Sequence, residues 1–150
     1  MSTLTESTAG QRTPAQAERI RMASFGALTM LILQFALGTA YNLYGTAPTA
    51  SKSIGMFSSP LLAIHVILGI LLLIAAAMLV FRVVQARAGA ALLVTSVIGL
   101  VAVIGAAGAG SSFAQDGANG ASLGMAIATA VAMLCYTVNL VILPQGKRRG

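Results

Sequence analysis

Four apolar runs, each about as long as the hydrocarbon core of a membrane is thick, dominate this sequence. They cover residues 23–44, 60–81, 88–109 and 121–143. A membrane-spanning helix needs about 20 predominantly apolar residues, and none of the four runs contains Asp, Glu, Lys or Arg. The sequence therefore predicts an all-α integral membrane protein, a four-helix bundle with up-down-up-down topology.

The composition excludes an ordinary soluble domain. Of the 150 residues, 57% are hydrophobic and only 8% are charged, which leaves too few polar groups to cover a soluble surface. The net charge of +6 comes from basic residues in the segments that flank the apolar runs, with no basic face interleaved with aromatic residues. This distribution predicts membrane lipid as the anionic partner and excludes nucleic acid.

The positions of the nine basic residues predict the orientation of the bundle. With four spans, both termini lie on the same side, and every basic residue except Lys52 falls on that side. Positive charge in short segments near span ends marks the cytoplasmic side. We therefore predict a multi-pass protein of the cell membrane, with residues 1–22 as a cytoplasmic N-terminal tail and residues 144–150 as a cytoplasmic basic tail.

The segments outside the spans carry helix-start and turn signals. Thr13, Pro14 and Gln16 suit the N-cap, the first helical position and the third position of a capping box, so a short helix is predicted to run from the tail into the first span. Residues 45–59 and 110–120 are predicted as the two outer loops, the second because it contains the turn dipeptides Asp-Gly and Asn-Gly.

Small residues recur at every fourth position in the last two apolar runs. They are Ala102, Ala106 and Gly110 in the third run and Gly120, Gly124, Ala128 and Ala132 in the fourth. This spacing lets two helix backbones approach closely in lipid. It predicts close packing of the fourth span against the third span or against another copy of the chain.

Polar residues within the spans are the best pointers to function, because a polar group in lipid is costly unless it has a partner. The polar residues that we single out are Gln34, Asn42, His65, Thr95, Ser96, Cys135, Tyr136, Thr137 and Asn139. Cys135 is the single cysteine, so no intramolecular disulfide is possible. A base beside a nucleophile is needed for hydrolysis, and His65 and Cys135 are predicted near opposite membrane faces. No catalytic residue, no metal site and no enzymatic activity are predicted.

His65 is the only histidine of the chain. It follows Pro60 by five residues, which places it roughly 7–8 Å inside the membrane boundary. A lipid-facing ring would leave its polar atoms unsatisfied, so His65 is predicted to face inward. The simplest role is a hydrogen bond to another helix, with Asn42 or Tyr41 as the partner at similar depth.

A cofactor-binding role for His65 is the alternative. A neutral imidazole is a good heme-iron ligand, and Met is a usual opposite ligand; Met125 has a similar predicted depth. Gly69 lies one helical turn beyond His65 and would leave space for a flat ligand. The sequence thus offers His65 and Met125 as candidate heme ligands, or His65 as a quinone contact, without identifying any cofactor.

Two short segments resemble the four-helix half of heme A synthase. They are Gln34-Phe35-Ala36-Leu37-Gly38 and Ile64-His65-Val66-Ile67-Leu68-Gly69. The family has an Arg directly after this histidine, where Val66 stands, and a second His on another helix, which this chain lacks. Heme A synthesis is therefore not expected. A second resemblance rests on four spans with Tyr41-Asn42-Leu43-Tyr44 ending the first, His65 in the second and Cys135-Tyr136 in the fourth. This pattern resembles small uncharacterised four-helix membrane proteins of high-GC Gram-positive bacteria, a likeness that implies no activity.

Three functions remain open after these exclusions. The first is an accessory or stabilising subunit that packs in a larger membrane complex or a homo-oligomer, as the uncharged spans and small-residue faces indicate. The second is a membrane electron-transfer protein that binds heme or quinone through His65. The third is a small transporter, although transporters usually have charged residues or broken helices within the membrane.

Overall fold

Four α-helices make up most of the described residues in a computed structural model, which describes residues 13–45, 48–49 and 52–143. They are α1 (Pro14–Tyr44), α2 (Pro60–Gln85), α3 (Ala90–Asp116) and α4 (Asn119–Ile142). All four are long and apolar enough to cross a membrane, which confirms the all-α class and fits a multi-pass membrane protein. The predicted basic tail, 144–150, lies outside the described residues.

The helices form a ring in which each packs against two neighbours. The contacting pairs are α1 with α2, α2 with α3, α3 with α4, and α4 with α1, and the pair α3–α4 is the most extensively packed. We call the end that carries Arg19, Arg21, Arg82 and Arg87 the basic end. The opposite end, with residues 45, 48–49, 52–59 and 117–118, is the loop end.

Side chains cap the starts of α1 and α2, and the cap of α1 is the one that the sequence predicts. The hydroxyl of Thr13 accepts from the backbone N–H of Gln16 at 3.3 Å, and the Gln16 side chain accepts from the backbone N–H of Thr13 at 3.1 Å. This capping box begins one continuous helix that runs from Pro14 through the first span. At α2, the hydroxyl of Ser59 accepts from the backbone N–H of Leu62 at 3.2 Å.

A tight turn joins α2 to α3 at the basic end. The N–H of Ala88 donates to the carbonyl of Val83, and the N–H of Arg87 donates to the carbonyl of Val84. These two bonds form a Schellman motif, in which the residue after the helix cap adopts the left-handed conformation that usually favours glycine. Arg87 occupies that position with a φ of 46°. The turn therefore places a guanidinium at the basic end despite a conformational cost.

The connection between α3 and α4 is much shorter than the second outer loop that the sequence predicts. Helix α3 continues to Asp116 and α4 begins at Asn119, so the expected loop of residues 110–120 is wrong and only residues 117–118 connect the helices. The hydroxyls of Ser111 and Ser112 donate to the carbonyls of residues 107 and 108, so both serines are accommodated within α3. The predicted turn is present at Gly117, with a φ of +70°.

The described residues between α1 and α2 contact this short turn. The backbone N–H of Ile54 donates to the carbonyl of Ala114 at 3.0 Å. Pro48 is buried, and its carbonyl oxygen lies so close to Gly117 that a Cβ there would clash with it. The two loops thus close the loop end together.

The fully buried core lies in the half of the bundle nearer the basic end. On α1 and α3 the buried side chains lie no farther toward the loop end than Leu31 and Val103, and on α2 and α4 they begin at Leu72 and Thr129. Among the described helical residues beyond these positions, none is fully buried. Glycine and alanine dominate α3 and α4 in the loop-end half, so their short side chains cannot fill the interior there. The bundle is therefore tightly packed in one half and open in the other.

The predicted close approach of α3 and α4 is confirmed, but not at every predicted position. A Cβ on Gly124 would lie 3.9 Å from the Cβ of Ala109, and a Cβ on Gly110 would lie 3.3 Å from the sulfur of Met125. A Cβ on Gly120, by contrast, would meet nothing within 4 Å. Gly124 and Gly110 therefore lie in the α3–α4 contact, whereas Gly120 does not.

Candidate functional site

His65 and Gln34 form a polar pair between α2 and α1. The side-chain amide nitrogen of Gln34 lies 3.1 Å from Nε2 of His65 and donates to the backbone carbonyl of His65 at 3.0 Å. Both residues are half-buried. His65 thus faces a neighbouring helix, as solvation cost predicts.

These two contacts determine which ring nitrogen of His65 carries the proton. The amide nitrogen of Gln34 faces a carbonyl oxygen, which only accepts, so the amide orientation is fixed by that bond. Its second N–H then points to Nε2, which must accept. The neutral imidazole therefore carries its proton on Nδ1.

Two glycines make room for the pair. A Cβ on Gly38 would lie 3.2 Å from Cε1 of His65, and a Cβ on Gly69 would lie 3.0 Å from the amide nitrogen of Gln34. Each polar side chain therefore lies against the glycine that follows its partner by four residues. The prediction of free space beside Gly69 is wrong, because the amide of Gln34 fills that space.

The structure corrects the predicted partner of His65. The contacts above place residue 38 level with residue 65, so Asn42 lies one turn nearer the loop end, and its side chain is exposed. Gln34 lies one turn deeper and reaches His65 through its longer side chain. One sequence signal would have identified this pair. On each of two adjacent antiparallel helices, a glycine follows the polar residue by four positions: Gly38 follows Gln34, and Gly69 follows His65.

Two polar atoms of the pair remain unsatisfied. Nδ1 of His65 and the side-chain oxygen of Gln34 are buried and have no hydrogen-bond partner among the described residues. One is a donor and the other an acceptor, so the pair retains one free hydrogen-bonding group of each kind. A buried polar group without a partner is costly in lipid, which makes this pair the strongest candidate functional site.

The structure does not bring Met125 to His65. No Cα of α4 lies within 8 Å of a Cα of α2, and the sulfur of Met125 lies beside Gly110 of α3. Heme ligation also requires a free lone pair on the ring, whereas Nε2 is bonded to Gln34 and Nδ1 carries the proton. The pair as arranged therefore does not fit axial heme ligation, which would require Gln34 to move away.

A second polar cluster joins α3 and α4 near the basic end. Asn139 is fully buried; its side-chain oxygen accepts from the hydroxyl of Thr95, and its amide donates to the hydroxyl of Ser96 at 3.0 Å. One turn away, the buried ring of Tyr136 packs over Gly99. The sequence analysis identifies these residues as separate polar positions within the spans. The structure brings them together because α3 and α4 are antiparallel and place them at the same depth.

The described residues contain no group of three or more His, Cys, Asp or Glu side chains that could hold a metal ion. Cys135 is a buried free thiol on α4, in the half of the bundle nearer the basic end. His65 lies in the other half, on a helix that does not contact α4.

No protein-family model, curated protein or solved structure matches this chain. The resemblance to the half-bundle of heme A synthase, carried by residues 34–38 and 64–69, stays a prediction. So does the resemblance to small membrane proteins of high-GC Gram-positive bacteria.

Proposed function

We propose that this chain is a non-enzymatic accessory or stabilising subunit of a larger membrane assembly in the cell membrane, with both termini cytoplasmic. The observation that carries this proposal is the open surface of α3 in the loop-end half. Gly105 and Gly108 are exposed there, and a Cβ on either would meet no atom within 4 Å. Small exposed residues let a helix of another subunit pack closely, which is how helices associate in lipid.

The use of the polar side chains supports the same proposal. Gln34 bonds His65 between α1 and α2, and Asn139 bonds Thr95 and Ser96 between α4 and α3. These groups join helices in pairs and do not converge on one substrate cavity. The spans contain no charged residue, and each of the four helices is continuous, which gives a transporter less support.

The assembly should depend on the exposed glycines of α3. On native gels of membranes solubilised in mild detergent, the wild-type chain is expected to migrate in a complex well above its own 15.2 kDa. The double variant Gly105→Leu/Gly108→Leu should run as a single chain with its detergent, because leucine side chains would hold a partner helix away. Co-purification of two differently tagged copies then separates a homo-oligomer from a hetero-complex.

Val101→Leu is the matched control for this test. Val101 is exposed on the same helix, and the change adds bulk without covering a glycine. The control should migrate like the wild type. A wild-type chain that runs alone, or a Gly105→Leu/Gly108→Leu complex of unchanged size, would refute the accessory role.

A second candidate function is binding of a quinone at the Gln34–His65 pair. It is favoured by the unsatisfied Nδ1 of His65 and side-chain oxygen of Gln34. A quinone carbonyl would accept from the Nδ1–H, and a quinol hydroxyl would donate to the glutamine oxygen. Heme is the less suitable cofactor, since Nε2 is bonded to Gln34 and Nδ1 carries the proton, so neither ring nitrogen has a free lone pair for the iron.

We expect the pair to act only as a link between helices. His65→Ala and Gln34→Ala should each lower the apparent Tm modestly, and the double variant should lose less than the sum of the two. The coupling free energy should be about 0.6 kcal/mol, the average for polar contacts in one membrane protein. Thermal unfolding of the purified protein in one detergent, followed by circular dichroism, measures it.

Asn42→Ala is the control, because the Asn42 side chain is exposed on the same helix as Gln34. Absorbance spectra and organic extracts of the same preparations test the alternative. A visible or quinone absorbance that His65→Ala removes while the helical signal persists would replace the accessory role with the cofactor role.

A further inference from the structure

A groove of about 450 Å³ lies between the first turns of α1 and the last turns of α2, at the basic end of the bundle. Gln16 and Arg19 line it from α1, and Met78, Phe81, Arg82 and Gln85 line it from α2. The polar members of this set are all exposed. The Gln34–His65 pair lies in the other half of the bundle, so this groove is a separate site.

The groove changes from apolar to charged along its length. Met78 and Phe81 lie toward the membrane and are 46% and 53% exposed, while Gln85 lies at the end of α2. The distance along α2 from Met78 to Gln85 is about 10 Å, at ~1.5 Å per residue. This gradient matches the boundary between acyl chains and headgroups in one leaflet of a membrane.

The charged part of the groove is suited to an anion. Arg19 and Arg82 approach it from two different helices, and a guanidinium binds phosphate oxygens through paired N–H groups. Glu18 is the only acidic residue in the described part of this end, so the cations outnumber the carboxylate. The oxygen of the Gln16 side chain is bonded to Thr13, which leaves its NH₂ group to donate.

We propose that this groove binds one anionic phospholipid. The phosphate lies between Arg19 and Arg82, the amides of Gln16 and Gln85 donate to the headgroup, and an acyl chain follows Met78 and Phe81. A free phosphate would use the arginines but leave the apolar wall without a partner. A phospholipid covers both parts of the groove, so the lipid is the occupant that the lining favours.

The test compares lipids on the purified protein in a neutral detergent. Phosphatidylglycerol should raise the apparent Tm by about 5 °C relative to the same amount of phosphatidylcholine, as expected for a ligand well above its dissociation constant. The double variant Arg19→Gln/Arg82→Gln should lose this difference. Arg21→Gln/Arg87→Gln removes the same charge from the same end, outside the groove, and should keep it.

Native mass spectrometry of the wild-type protein provides a second measurement that needs no variant. One phosphatidylglycerol should remain bound at a collision energy that strips phosphatidylcholine. The proposal is overturned if the two lipids stabilise and remain bound equally, or if both double variants lose the difference together. An equal shift with glycerol phosphate would identify a soluble anion as the ligand instead.

Discussion

Gly99→Ala is expected to lower the free energy of unfolding by about 2 kcal/mol, within the range typical of overpacked cores. A Cβ on Gly99 would lie 2.7 Å from Cε1 and 2.9 Å from Cζ of Tyr136, both inside van der Waals contact. The tyrosine ring is fully buried between the helices, so it cannot swing aside. The added methyl must therefore push α3 and α4 apart in the tightly packed half of the bundle.

Gly105→Ala is the matched control for this prediction. The two glycines lie on the same helix, and a Cβ on Gly105 would meet no atom within 4 Å. Alanine is the better helix former by about 1 kcal/mol, so this control should keep or raise the apparent Tm. The double variant Gly99→Ala/Tyr136→Leu should recover part of the loss, since leucine lacks the ring carbons that clash.

Circular dichroism during thermal unfolding in one detergent measures all of these variants, since the chain has no tryptophan for fluorescence. If Gly99→Ala loses no stability relative to the wild type, Tyr136 does not pack over Gly99. Equal losses in both variants would show that any methyl on α3 is harmful, whatever its neighbours.

The sequence predicts the number and class of the helices because the physical constraint in a membrane is strong. Runs of about 20 uncharged residues must form helices to satisfy their backbone groups, and all four are present. The end of α3 is harder to predict, since Ser111 and Ser112 read as loop residues. Their hydroxyls bond carbonyls of the preceding turn, so the helix tolerates them and continues to Asp116.

The candidate site could be predicted only in part. His65 is identifiable because an unpaired imidazole is costly in lipid, but its partner depends on the register between α1 and α2. That register follows from packing along the whole helix pair and from a loop of about 15 residues, neither of which span boundaries reveal. An error of one turn is enough to exchange Gln34 for Asn42 as the partner.

The contact between α3 and α4 could likewise be predicted only in part. The small residues correctly predict that these helices pack closely. However, their recurrence at every fourth position assigns Gly120 to the contact and does not include Gly99. Glycine spacing alone does not distinguish a backbone contact from a recess for a large side chain. The recess at Gly99 is recognisable only once Tyr136 is known to lie opposite it.

Asn139→Ala should lower the free energy of unfolding by about 2 kcal/mol. The change removes the hydrogen bonds to Thr95 and Ser96 and leaves a cavity where a fully buried side chain stood. The hydroxyl of Thr95 also lies 2.9 Å from the carbonyl oxygen of Ala91, so once Asn139 is removed its single O–H can donate to that carbonyl on its own helix. Most of the loss should therefore come from Ser96 and from the cavity.

Thr137→Ala on the same helix provides the comparison. Thr137 is exposed, and its hydroxyl donates only to the carbonyl of Met133 within α4, so its loss should leave the apparent Tm nearly unchanged. A double-mutant cycle between Asn139→Ala and Ser96→Ala isolates the bond between the helices, with an expected coupling of about 0.6 kcal/mol. Additive losses would mean that Asn139 contributes by filling space alone. A coupled pair would make this cluster the polar link that fixes α3 against α4 at the basic end.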